Sequence, residues 1–137
     1  MIESVLLDTC AIIYFMHSAR ISKAALSAVE EASTRQAILI SAISAWEIGL
    51  LERRRPGTFL PDAKGWFTRM VTHPGASLAA LTPEIAIDSS HLPGTLHNDP
   101  ADRLLIATAR LLRVPIVTRD AKILAYAKAG HVATIAC

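Results

Sequence analysis

The chain has few cysteines, few aromatic residues and no long apolar run. Its two cysteines, Cys10 and Cys137, are too few for a disulfide framework or a CxxC metal site. Although 52% of the residues are hydrophobic, no apolar stretch reaches the about 18 residues that a membrane span needs. The first residues contain neither the basic segment nor the cleavage site of a signal peptide. We therefore expect one soluble, cytoplasmic domain covering residues 1–137.

The net charge of the chain excludes fewer classes of function than its composition does. A formal net charge of +2 gives no argument by itself for nucleic-acid binding. Most arginines are expected on solvated surfaces, although Arg103 and Arg119 lie near acidic motifs. The five histidines show no spacing typical of a zinc site, and His97 is close enough to Asp99 to contact a substrate.

Apolar strands and amphipathic helices alternate along the chain. The pattern predicts strands near residues 2–7, 37–40, 78–81, 114–118 and 132–135. It predicts helices from about residues 9, 22, 42, 61, 83, 100 and 121, with either Ser41 or Ser44 capping the third. Such alternation is typical of an α/β fold with a parallel sheet covered on both faces.

Five carboxylates follow apolar strands or lie near the start of apolar helices. They are Asp8, Glu47, Asp99, Asp102 and Asp120. Right-handed crossovers place the carboxyl ends of parallel strands along one edge of the sheet, where ligands bind in open sheets. We expect Asp8, Glu47, Asp102 and Asp120 to project toward this edge.

Each acid also has a simpler explanation. Asp8 and Asp120 are equally well explained as helix caps or as ligands. Asp99, before Pro100, is better explained as a cap, whereas Asp102 lies on the apolar side of its helix and is assigned to the site. Glu47 also lies on an apolar stripe, and a salt bridge to an arginine is the competing account.

Electrostatics indicates what a cluster of these acids needs. Two carboxylates about 5 Å apart repel by roughly 3 kcal/mol at an effective dielectric constant near 20. Several such groups stay ionised together only with basic partners or a cation. Carboxylate oxygens without cysteine or paired histidine ligands favour Mg²⁺ or Mn²⁺ over Zn²⁺.

At these residues the chain resembles the PIN-domain nucleases, and more closely the VapC-type toxins of prokaryotic toxin–antitoxin pairs. The matching motifs are LLDT at residues 6–9, SAWEI at 44–48, HNDPADRLLIA at 97–107 and TRD at 118–120. They occur in the order typical of the family and span nearly the whole chain. One departure is Ala101, where related toxins often have an aromatic residue.

The resemblance implies a three-layer α/β/α sandwich with a mostly parallel central sheet, and a metal-dependent endoribonuclease using Mg²⁺ or Mn²⁺. Its implied catalytic and metal-binding residues are Asp8, Glu47, Asp102 and Asp120. Its implied neighbouring or substrate-contacting residues are Thr9, Asp99, Arg103, Thr118 and Arg119. It further implies an RNA substrate, a cognate antitoxin protein and a homodimer.

Two other functions fit parts of the pattern. A strand ending in Asp8 also suits enzymes that use an aspartate nucleophile for phosphoryl transfer, although these usually have a second acid close by and Thr9-Cys10-Ala11 offers none. A metal-stabilised module that binds RNA or a partner without turnover is the non-enzymatic alternative. No residue pattern supports it directly.

Overall fold

The structure is a computed structural model that describes residues 3–17 and 20–137. The beginning of the first predicted strand, at Ile2, lies outside these ranges. The strands are β1 (Val5–Leu7), β2 (Ile38–Ser41), β3 (Ala76–Ala79), β4 (Ile116–Thr118) and β5 (Thr134–Ala136). The helices are α1 (Thr9–Met16), α2 (Lys23–Ser33), α3 (Ala42–Arg54), α4 (Ala63–Thr72), α5 (Pro83–Ser89), α6 (Pro100–Leu112) and α7 (Ala121–Lys128). Within the described ranges, no helix is both long and apolar enough to cross a membrane.

The strands form one parallel sheet in the order β3-β2-β1-β4-β5. Leu7 of β1 pairs with Ile40 of β2 on one side and with Val117 of β4 on the other. The chain winds outward in opposite directions from β1 and β4, so their carboxyl ends flank the crevice at which open sheets bind ligands. This confirms the expected α/β/α sandwich and places the ends of β1 and β4 together.

An apolar core covers each face of the sheet. Val5 and Leu7 pack on one side of β1, and Leu6 packs on the other, because successive strand residues point to opposite faces. The first core includes Ile12 of α1, and the second includes Ile106 of α6. Both cores support the helices whose first turns face the carboxyl edge.

Some predicted boundaries change in the structure. Strand β3 begins at Ala76 rather than near residue 78, and α4 begins after its N-cap Asp62, whose side chain accepts from the backbone of Gly65. Ser41, the first of the two alternatives, caps α3. The sequence predicts that Glu47 and Asp102 both lie in the first turns of their helices. This is confirmed for Asp102 in α6 but wrong for Glu47, which lies in the second turn of α3 because that helix begins at Ala42.

Candidate active site

All five acids singled out from the sequence line one cavity at the carboxyl edge of the sheet. This acid cavity has a volume of about 300 Å³ and lies beside the ends of β1 and β4. Its lining consists of Asp8, Thr9, Cys10, Tyr14, Glu47, Asp99, Asp102, Leu105, Arg119 and Asp120. The structure thus brings together side chains that are as much as 112 residues apart in sequence, from Asp8 to Asp120.

Asp8 is the most deeply buried of these acids, with 5% of its surface exposed. Its Oδ1 accepts from the backbone N–H of Ala11 at 2.7 Å, which caps α1, and its Oδ2 accepts from the hydroxyl of Thr118. Burial raises the pKa of the Asp8 carboxyl, the two hydrogen bonds oppose that rise, and the charge of Asp120 adds to it. Asp8 is therefore a helix cap and a cavity residue at once.

Glu47 reaches the cavity from α3 and is held by a hydroxyl pair. Thr9 donates to its Oε1, and the Oγ1 of Thr9 also lies 2.9 Å from Oγ of the fully buried Ser44. Burial raises the pKa of Glu47, and the charges of Asp99 and Asp8 raise it further against the lowering effect of the Thr9 bond. The sequence offered Ser44 as a helix cap and as part of the SAWEI motif, but it did not predict the contact with Thr9.

Asp102 has a histidine partner that the sequence did not predict. Its Oδ2 lies 3.1 Å from Nε2 of His97, although the pair lacks hydrogen-bond alignment. The backbone N–H of Asp99 donates to Nδ1 of His97 at 3.1 Å, so Nδ1 is an acceptor and Nε2 is the ring nitrogen beside Asp102. Burial raises the pKa of Asp102 to about 7, and the charges of Asp99, Asp120 and Glu47 contribute to the rise.

Asp99 and Asp120 also combine capping with a place in the cavity. Oδ1 of Asp99 accepts from the backbone of Ala101 at 3.3 Å, and Oδ1 of Asp120 accepts from Lys122 at 2.8 Å and Ile123 at 3.0 Å. Each of these caps uses one carboxylate oxygen. The alternatives of cap and ligand are therefore compatible, because a carboxylate has two oxygens.

The two candidate arginines are placed very differently. Arg119 lines the acid cavity, with its guanidinium 4.1 Å from the ring centre of Tyr14, and it donates to the backbone of Arg20. Arg103 instead donates to the carbonyl oxygens of Ser89, Leu96 and His97. It is absent from the lining of the acid cavity. This arrangement gives no support to the expectation that Arg103 contacts RNA. Arg103 instead connects the end of α5 to the loop before α6.

The electrostatic potential in the acid cavity is strongly negative. Besides the three acids whose pKa is raised, the pKa of the Cys10 thiol rises to about 11 through burial and through the charges of Asp8, Glu47, Asp120 and Asp102. A cation entering the cavity relieves this repulsion. The donor set, carboxylate oxygens with neighbouring hydroxyl groups, suits a hard divalent cation.

The spacing of the donors limits how an ion is held. Within residues 3–17 and 20–137, no three His, Cys, Asp or Glu side chains are grouped closely enough to hold one metal ion. Mg²⁺ usually keeps several water molecules and binds through one or two carboxylates together with substrate phosphates. The chemistry and the spacing therefore fit a partly hydrated ion.

The family of the chain follows from a comparison with protein-family models. The model described as PIN domain matches residues 5–129, a range that contains all five cavity acids. The chain belongs to the PIN domain family. Among curated proteins, Ribonuclease VapC22 of Mycobacterium tuberculosis (strain ATCC 25618 / H37Rv) is 32% identical to it over 105 residues, which are 76% of each chain.

Solved structures share the fold of this PIN domain. VapBC2 from Rickettsia felis bound to a promoter DNA fragment matches with a TM-score of 0.70 and 13% identity over 99% of this chain and 98% of the other. FitAcB from Neisseria gonorrhoeae matches with a TM-score of 0.65 and 17% identity over 96% of both chains. A toxin–antitoxin complex from Klebsiella pneumoniae has a TM-score of 0.58 and 25% identity over 87% and 88%.

Proposed function

We propose that this PIN domain is a divalent-metal-dependent endoribonuclease and the toxin of a toxin–antitoxin pair. The observation that carries the proposal is the convergence of Asp8, Glu47, Asp102 and Asp120 on one negatively charged cavity at the carboxyl edge of the sheet. The 32% identical relative is a ribonuclease, which supports RNA as the substrate. In this proposal the same four acids would hold Mg²⁺ or Mn²⁺ in a partly hydrated form, one or two of them directly and the others through its water molecules.

The residues around the acids have separate roles in this reaction. When bound, the cation supplies an activated water and stabilises the leaving oxygen of a phosphodiester. Thr118 and Thr9 orient the carboxylates of Asp8 and Glu47 through their hydroxyl groups. Arg119, on the cavity wall, supplies positive charge for an RNA phosphate.

The similarity to a ribonuclease favours hydrolysis over a role for Asp8 as a phosphoryl-accepting nucleophile. The oxygens of Asp8 accept hydrogen bonds from Ala11 and from Thr118, and each keeps a second lone pair that either role could use. The 32% identical relative is a ribonuclease, so the hydrolytic role remains the preferred one.

The proposed partners are an antitoxin and a second copy of the chain, in the cytoplasm. In α1 and α3 the apolar residues Ile12, Ile43 and Ile48 are buried in the core, whereas Trp46 of α3 is 52% exposed. An antitoxin segment could also enter an apolar cavity of about 470 Å³ that is bordered by Phe15 and Met16 of α1. The Klebsiella pneumoniae neighbour is itself a toxin–antitoxin complex, which supports an antitoxin partner.

RNA cleavage by Asp8→Asn tests the function and its site. Purified wild type is incubated with a fluorescently labelled pool of single-stranded RNA, with and without Mg²⁺ or Mn²⁺. We expect metal-dependent cleavage by the wild type and a loss of at least about 100-fold in the variant, since a metal-ligating charge is removed.

Asp62→Asn is the matched control. Asp62 also caps a helix, α4, through a 2.8 Å bond from Gly65, but it does not line the acid cavity. Because Asn caps a helix about as well as Asp, both variants keep a cap and only Asp8→Asn changes the cavity. Cleavage by Asp8→Asn at the wild-type rate would overturn the assignment of the site. A wild type that cleaves RNA neither with Mg²⁺ nor with Mn²⁺ would overturn the nuclease function.

A further inference from the structure

A second cavity adjoins the acid cavity and has no role in the chemistry proposed above. This side cavity has a volume of about 470 Å³. Its lining includes Thr95, His97, Lys122, Ala125, Tyr126 and His131. The volume is within the range of sites that bind small organic groups.

Two residues connect the side cavity to the proposed catalytic acids. His97 lines the side cavity and places Nε2 3.1 Å from Oδ2 of Asp102. Lys122 also lines it, and its backbone donates to Oδ1 of Asp120 at 2.8 Å. When one phosphate of a polymer lies in the acid cavity, the adjacent unit of that polymer can therefore reach the side cavity.

The far wall of the side cavity is held in place by several contacts. The ring of Tyr126 is buried, its hydroxyl donates to the carbonyl of Pro93, and its centroid lies 4.8 Å from that of His131. Arg110 donates to the carbonyl of His131. Gly94 approaches this ring so closely that a Cβ there would lie 2.5 Å from Nε2 of His131. The wall is thus largely preformed, which lowers the entropic cost of binding.

The chemistry of the lining matches one nucleotide of an RNA chain. His97 and His131 present partly exposed aromatic rings, and bases of single-stranded RNA stack on such rings. Lys122 is exposed beside them and offers positive charge to a phosphate. We propose that the side cavity binds the base of a nucleotide next to the cleaved phosphodiester. This inference rests on the proposed ribonuclease function and identifies where sequence preference arises.

Filling the side cavity tests this inference. Ala125 is an exposed residue of α7, so Ala125→Leu adds bulk to the cavity while retaining a good helix former. The probes are a cleaved single-stranded RNA identified from the random pool and versions of it with an abasic nucleotide on either side of the cut. We expect one abasic position to lower kcat/KM of the wild type about tenfold or more, as for the loss of one stacked base.

The variant Ala125→Leu should lose the preference of the wild type for intact over abasic RNA. We expect Ala125→Leu to cleave intact RNA about tenfold less efficiently than wild type and to treat intact and abasic RNA alike. Ala24→Leu, at an exposed position of α2, is the matched control and should behave as wild type. Thr95→Leu fills the cavity from the loop before α6, so the test does not depend on the folding of one variant.

Binding measurements separate this inference from the catalytic proposal. Fluorescence anisotropy is carried out in an Asp8→Asn background, where cleavage is not required, with single-stranded RNA oligonucleotides of mixed sequence and their abasic counterparts. Tighter binding of intact than of abasic RNA, abolished by Ala125→Leu, supports the base site even if the wild type does not cleave. Equal behaviour of wild type, Ala125→Leu and Thr95→Leu toward intact and abasic RNA would overturn the base site and leave the nuclease function standing.

Discussion

Asp102→Asn should stabilise the metal-free protein at alkaline pH while abolishing its activity. In the wild type, burial and the charges of Asp99, Asp120 and Glu47 raise the pKa of Asp102 from 3.8 to about 7. In the unfolded chain the same carboxyl ionises near its ordinary value. At a pH between the unfolded and the folded pKa of Asp102, the folded state therefore binds one more proton than the unfolded state.

The sign of the pH dependence follows from this difference. The stabilising contribution of the proton is fully present below the unfolded pKa and is lost as the pH rises through the folded pKa. A rise from 3.8 to about 7 corresponds to at most about 4 kcal/mol. The cavity opens to solvent, and part of the rise in pKa lies below pH 5. We therefore expect the wild type to lose about 2 kcal/mol of its free energy of unfolding between pH 5 and pH 8. Asparagine does not ionise, so the variant escapes this loss.

Urea unfolding at pH 5 and pH 8, with a chelator present, measures the effect. The free energy of unfolding of Asp102→Asn minus that of wild type should increase by about 2 kcal/mol from pH 5 to pH 8. Asp62→Asn is the control, because Asp62 is an exposed cap that does not line the acid cavity. Mg²⁺ at about 100 times its Kd should then stabilise wild type at pH 8 by about 2.7 kcal/mol, and the variant by less.

A difference between Asp102→Asn and wild type that stays constant across this pH range would refute the reasoning. It would mean that the charge of Asp102 is not penalised in the folded state. In that case the repulsion among the cavity acids would be too weak to explain a need for a cation. The proposed RNA cleavage would then require another explanation of how the acids act.

Three further substitutions test other parts of the structure. Thr118→Val removes the hydroxyl that donates to buried Asp8, so urea unfolding at pH 7 should show a loss of about 1–3 kcal/mol, and unchanged stability would contradict the bond. Arg119→Ala should weaken RNA binding and reduce the slope of log K against log salt by about 0.7, measured by anisotropy over a salt series; an unaltered slope would exclude a phosphate contact. Ile106→Ala, at a fully buried position, should lower the free energy of unfolding by about 2–5 kcal/mol, and a loss below 1 kcal/mol in denaturant titration would contradict tight packing there.

Much of the fold was predictable because its signals are local. Alternating apolar strands and amphipathic helices indicated a parallel sheet, and each cap lies within three residues of the backbone group it binds. Boundaries were less accurate where tertiary pairing decides them. Strand β3 begins at Ala76 because that residue pairs with Ile38 of β2, a contact 38 residues distant in sequence.

The roles of individual site residues depended more on long-range contacts. Arg103 and Arg119 looked equivalent beside acidic motifs. Arg103, however, donates to one carbonyl at the end of α5 and to two in the loop before α6, whereas Arg119 stacks on Tyr14 at the cavity. His97 had no metal-site spacing, and its position five residues before Asp102 was the available sign of a contact. The sequence contains no information on such directions without the packing of neighbouring elements.

The sequence by itself determined the element order, the parallel sheet and the edge toward which the acids project, because periodicity and crossover handedness are properties of the local chain. Only the tertiary structure decided that cap and cavity roles coincide in Asp8, Asp99 and Asp120, since that depends on where the second carboxylate oxygen lies. It also decided the raised pKa of Asp102, because burial and repulsion arise when distant carboxylates are brought together in a medium of low polarity.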